Sequence, residues 1–102
     1  GSMIKTERLY EGRFKDYSAM FIEIPQLEPQ QGVYVRPAGT YLRAYCKGDW
    51  DRVPDRYKDI LQYAREQGLE LWGYSFETGI NERAIDSLDN YITEINILVK
   101  NK

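Results

Sequence analysis

At 102 residues, with 42% hydrophobic and 29% charged residues, the chain suits one domain with a modest core and not a disordered segment. Its net charge of −2 and pI near 5.2 argue against nucleic-acid binding, which relies on clustered Lys and Arg. It has no histidine, which excludes Ser-His-Asp and Cys-His nucleophiles and a His-ligated metal, and its single Cys46 excludes an intrachain disulfide.

No apolar run approaches the roughly 20 residues of a membrane span, no signal peptide is recognisable, and a reducing cytoplasmic setting is expected. Gly1 and Ser2 ahead of Met3 read as a cloning scar, with residues 3–102 as one domain. Neither GxxxxGK[ST] nor GxGxxG occurs, so no phosphate-binding loop is expected, and no cofactor or metal is called for.

In chain order, Ile4 to Tyr10 is a strand candidate, and Glu11-Gly12-Arg13 is a turn signal. From Phe14 to Ile24, the apolar Met20, Ile22 and Ile24 alternate with Ala19, Phe21 and Glu23, which predicts a second strand and so a hairpin. Pro25 to Gln31 lacks periodicity and reads as a connector, while Val33 and Val35 open a short strand that Pro37-Ala38-Gly39 interrupts. Tyr41 to Lys47 then alternates, with Tyr41, Arg43 and Tyr45 on one face and Leu42, Ala44 and Cys46 on the other.

Val53, Tyr57, Ile60, Leu61 and Ala64 recur at helical spacing and form one apolar stripe. Asp49 or Asp51 suits the helix start, Pro54 its first turn and Gly68 a left-handed stop. In "LELWGYSFE", Trp72, Tyr74 and Phe76 share one face, and Leu71, Gly73, Ser75 and Glu77 the other. Thr78 to Asn90 reads as a polar loop with a helical turn around Glu82 to Leu88. In the last strand, Tyr91 to Val99, the face with Tyr91, Thr93, Ile95, Ile97 and Val99 is expected to be core, and Ile92, Glu94, Asn96 and Leu98 oppose it. The sum is an α+β fold, an antiparallel sheet with one main helix packed on it, in which a strand-helix-strand-strand unit follows a hairpin.

Glu77 and Glu94 stand inside otherwise apolar strands in a chain with nine Tyr, two Trp and three Phe. Carboxylates so placed cost free energy unless a positive group meets them, and aromatic faces add cation-π attraction, so the pattern points to a site for organic cations. Each residue also has a structural reading. Glu77 could face water or pair with Arg43 or Arg36, Glu94 could form a salt bridge across the sheet, and the tyrosines and Cys46 could simply pack.

The order "PAGTYLRAYCKG", "YKDILQYAREQGL", "GYSFE", "DNYITEINILV", over residues 33 to 99, resembles the second half of a GyrI-like effector-binding domain of MerR-type multidrug-responsive transcription regulators. That resemblance implies two strand-helix-strand-strand units with a pocket for lipophilic cations between them. Residues 3–31 would be a partial first unit and connector, and 32–102 a complete second unit. It matches Glu77 to the family's central carboxylate and Glu94 to a second acidic position, with Tyr45, Trp50, Tyr63, Trp72, Tyr74 and Tyr91 as aromatic candidates, Tyr45 and Trp72 foremost. It implies a sensor rather than an enzyme, and a homodimer that covers the sheet left open by the truncated first unit. A small hydrolase using Glu77 with Trp72, and a gyrase-inhibitor-like protein-binding module, are the alternatives.

Overall fold

The computed structural model describes residues 1–21, 38–81 and 87–101. Five strands form one antiparallel sheet: β1 (Ser2–Lys5), β2 (Ala19–Met20), β3 (Thr40–Lys47), β4 (Leu69–Gly79) and β5 (Ile92–Asn101), in the order β2-β1-β4-β5-β3. The helices are α1 (Thr6–Tyr10) and α2 (Val53–Glu66). The fold is therefore α+β, with one main helix on an antiparallel sheet.

The helix α2 forms where the apolar stripe requires it. Val53, Tyr57, Ile60 and Ala64 are buried against the sheet, and Pro54 lies in the first turn. Asp49 accepts from the Trp50 backbone N–H and caps the 3₁₀ turn Trp50–Arg52 that leads into the helix. Beyond the helix, Gly68 adopts φ +67°, a left-handed stop that allows β4 to turn back immediately. The Arg56 guanidinium donates to the Tyr45 carbonyl at 2.8 Å, tying the first turns of α2 to β3.

On the helix-facing side of the sheet lie Ala44 and Cys46 of β3, Ile95, Ile97 and Val99 of β5, Leu71 of β4 and Ile4 of β1. Ser75 and Glu77 of β4 share that side, because Ser75 pairs with Ile97 and Glu77 with Ile95. The register shifts between Trp72 and Ser75, where two β4 residues have no counterpart in β5, and an insertion of two preserves the alternation on either side. The opposite side carries Tyr41, Arg43 and Tyr45, then Glu94, Asn96 and Leu98, then Trp72, Phe76 and Thr78, then Met3.

The N-terminal region departs from the expected hairpin. The Ile4–Tyr10 strand ends at Lys5, and Thr6–Tyr10 is helical because Thr6 and Leu9 bury on one side of the turn. The Tyr10 hydroxyl accepts the Leu71 N–H at 2.8 Å, satisfying β4 backbone beyond the last β1 pairing. The strands β1 and β2 are antiparallel neighbours, but α1 and a loop separate them. Of Phe14–Ile24, only Ala19–Met20 is strand among the described residues, and Met20 is 83% exposed where the alternation implied burial.

The expected connector at Pro25–Gln31, the strand at Val33 and Val35, and residues 82–86 of the expected helical turn lie outside the described residues. Thr78 belongs to β4 and not to a loop, and a 3₁₀ turn occupies Leu88–Asn90. Both sides of β5 are covered: besides the expected core face, Asn96 and Leu98 are buried. Among the described residues no helix is long and apolar enough to cross a membrane, and no group of acidic or sulfur side chains could hold a metal ion.

Candidate functional site

Glu77 is the centre of the most unusual chemistry in the molecule. It sits on the helix-facing side of β4 at only 7% exposure. One carboxylate oxygen accepts from the Tyr17 hydroxyl at 2.9 Å, and the other accepts a short hydrogen bond from the Tyr57 hydroxyl, which also lies 2.8 Å from Ser75 Oγ. Tyr57 comes from the buried stripe of α2, and Tyr17 from the loop between α1 and β2. Phe14 stacks on the Tyr57 ring at 5.7 Å and 17°, closing the aromatic wall.

No Lys or Arg makes an ion pair with Glu77 among the described residues. Burial raises the Glu77 carboxyl above its ordinary value, and the two phenol hydrogen bonds pull it only partly back. The same neighbourhood pushes the Tyr57 and Tyr17 phenols up, first by burial and then by the Glu77 charge, so both hydroxyls remain protonated donors. Cys46 is buried, and its thiol is raised mainly by burial, which leaves it inert.

The structure does not bring Glu94 to this site. Glu94 lies on the opposite side of the sheet, where Asn96 Nδ2 donates to it at 2.8 Å and Arg43 Nε stands 3.8 Å away across the β3–β5 pair. Arg43 Nε also donates to Asn96 Oδ1 at 3.0 Å, so the three side chains form a closed polar row. Arg43 is thereby committed to Glu94 and not to Glu77, and Arg36, the other expected partner of Glu77, lies outside the described residues.

Of the aromatic candidates, Tyr45 and Trp72 fall on the Glu94 side, half-exposed and in separate register rows. Tyr74 is near Phe76 on that side too, with ring centroids 6.4 Å apart. Trp50 and Tyr91 meet edge to face at 5.5 Å where the turn before α2 approaches the start of β5. Tyr63, on the outer part of α2, forms a wall of a groove of about 470 Å³ between α2 and β3, which Ile60, Leu42 and Val99 also line and Glu77 does not. Since Trp72 and Glu77 occupy opposite sides of β4, the pairing that a Glu77–Trp72 hydrolase needs is absent.

The aromatic groups that do meet Glu77 are Tyr17 and Tyr57, with Phe14 stacked on the Tyr57 ring. Periodicity placed Tyr57 in the apolar stripe, where its ring belongs, but gives no information about where a phenol tip ends. Tyr17 stands in a loop without a pattern, and only the fold carries it to Glu77.

Among curated proteins, the multidrug-efflux transporter 2 regulator of Bacillus subtilis (strain 168) is 24% identical to this chain over 101 residues. The alignment covers 98% of the chain and 36% of that regulator, so the chain spans about a third of the length of its curated relative. No protein-family model matches the chain, and no solved structure gives a significant match. The chain is thus an α+β domain similar to one part of a multidrug-efflux regulator.

Proposed function

We propose that this is a sensor-type domain that binds small lipophilic or aromatic cations, with Glu77 as the counter-charge. The observation that carries the reading is a buried carboxylate whose described partners are all hydroxyls. A desolvated anion of this kind is expensive for a fold to keep, and it attracts a cation strongly once one is admitted. Aromatic rings beside it favour a delocalised or aryl-bearing cation, each contact adding about 0.5 to 2 kcal/mol. The similarity to a regulator of multidrug efflux supports a sensor of the GyrI-like type over an enzyme, and the engagement of both Glu77 oxygens by phenols does not suit a free base or nucleophile.

The two phenols define how binding proceeds. Tyr57 is fully buried, whereas Tyr17 is 41% exposed and comes from a loop, so an incoming cation takes the place of the Tyr17 hydroxyl. Exchanging a neutral donor for a charged one strengthens the interaction at Glu77.

Glu77→Gln tests the reading. It keeps the volume and removes the charge, so affinity for an aryl cation should fall about tenfold to a few hundredfold, equivalent to roughly 1.5 to 3 kcal/mol. Affinity for a neutral isostere should not change. Calorimetric titration that finds cation and isostere bound equally by the wild-type protein defeats the proposal.

A further inference from the structure

Thr93 carries the next step. Its residue is 3% exposed, and its hydroxyl oxygen is buried with no hydrogen-bond partner among the described residues. A buried hydroxyl left unpaired lowers stability, and valine would fill the same volume without it. The hydroxyl lies on the helix-facing side of β5, since Thr93 alternates with Ile95 and Ile97. Glu77 pairs with Ile95 and Gly79 with Thr93, so Glu77 and Thr93 are diagonal neighbours on one side of the sheet, about 7 to 8 Å apart along the backbone. Cys46, directly opposite Thr93 on β3, feels the Glu77 charge, which places all three side chains in one neighbourhood.

We infer that Thr93 is a second recognition point of the Glu77 site and that the site therefore prefers protonated amines, which carry N–H donors, to quaternary cations, which carry none. This rests on the cation reading of Glu77 and narrows its ligand class. One N–H of an ammonium meets the Glu77 carboxylate, and another meets Thr93 Oγ1, giving the orphaned oxygen a partner. A quaternary ammonium satisfies the charge but leaves the hydroxyl unpaired.

The test uses naphthylmethylamine, protonated at neutral pH, and its N,N,N-trimethyl analogue, titrated into the wild type, Thr93→Val, Thr93→Ser and Glu77→Gln. The wild type should bind the protonated amine roughly tenfold more tightly, the worth of one hydrogen bond to a charged donor. Thr93→Val should lose that preference, bind the trimethyl analogue as before and melt at a higher temperature than the wild type. Thr93→Ser, which retains a hydroxyl, should keep the preference and exclude a general packing defect. Glu77→Gln should weaken both cations. Equal binding of the two probes by the wild type, or a preference that survives in Thr93→Val, overturns the inference. If neither probe binds the wild type, the reading of Glu77 falls and this inference with it. If Glu77→Gln binds both probes like the wild type while Thr93→Val loses the preference, only the role of Glu77 falls.

Discussion

At the scale of single residues, the raised Glu77 carboxyl should make stability and the proposed cation binding respond to pH in opposite senses. Burial raises its carboxyl above the ordinary value of 4.5 in the folded protein, so the unfolded chain releases that proton first as pH rises. Within the window from 4.5 to the raised folded value, the folded state binds more protons than the unfolded state. The stability that Glu77 contributes is thus fully present below the window and lost as pH climbs through it. Comparing urea midpoints of the wild type and Glu77→Gln should show the difference between them shifting in favour of the Gln variant across that window and then levelling. Cation affinity should rise over the same range, because only the ionised carboxylate attracts the ligand. Tyr57→Phe probes the other side of the balance. It strips a donor from a buried acceptor and should cost about 1 to 3 kcal/mol in denaturant unfolding. An unchanged midpoint would show that the hydroxyl of Tyr57 does not hold Glu77 in solution.

At the scale of elements, the parts with strong periodicity were legible. The stripe of α2, the alternation of β3 and the buried face of β5 follow from spacing alone, as does the stop at Gly68. The β1–α1 segment was not legible, because five residues of helix carry barely one turn of pattern. The candidate site was half legible. Alternation puts Glu77 in line with Leu71 and Glu94 opposite Ile95, which already separates the two carboxylates, but neither Tyr17 nor the tip of Tyr57 leaves a trace in spacing. The irregularity in β4, which passes through Gly73 at φ +68°, leaves Glu77 on the same side of the sheet but sets its partner along β5, Ile95. A Cβ there would stand 3.3 Å from Leu98 Cδ1 as well as in a strained backbone region. Gly73→Ala should therefore lower unfolding free energy by about 1 to 2 kcal/mol and weaken cation binding by disturbing the path from Trp72 to Glu77. A variant as stable as the wild type would show that the bulge tolerates a side chain and does not fix the register.

At the scale of the whole molecule, the two sides of the sheet are unequally dressed. The side under α2 is a continuous apolar core around Glu77, while the other presents half-exposed Tyr45 and Trp72 beside the Arg43–Asn96–Glu94 row. Met3, Phe76, Asn96 and Leu98 on this second side are already buried within one chain, and we propose that two copies meet about a two-fold axis through the parts of it that stay exposed, around Tyr45, Arg43 and Trp72. The face suits self-pairing because it carries both signs: Arg43 of one copy can lie near Glu94 of the other, with Trp72 and Tyr45 supplying apolar contact between the two rows. Such a dimer leaves the Glu77 site on the far side of each sheet, so it places two independent cation sites in one particle. Light scattering at micromolar concentration should give about twice the chain mass of 12.0 kDa. Trp72→Glu, which puts an unpaired charge on the shared face, should return the mass to that of one chain while each copy still binds cation. Met20→Lys, on the exposed edge strand β2, should leave the dimer intact. A wild-type mass of one chain defeats the proposal outright, and a dimer that Met20→Lys splits and Trp72→Glu spares would move the contact from the sheet face to its β2 edge.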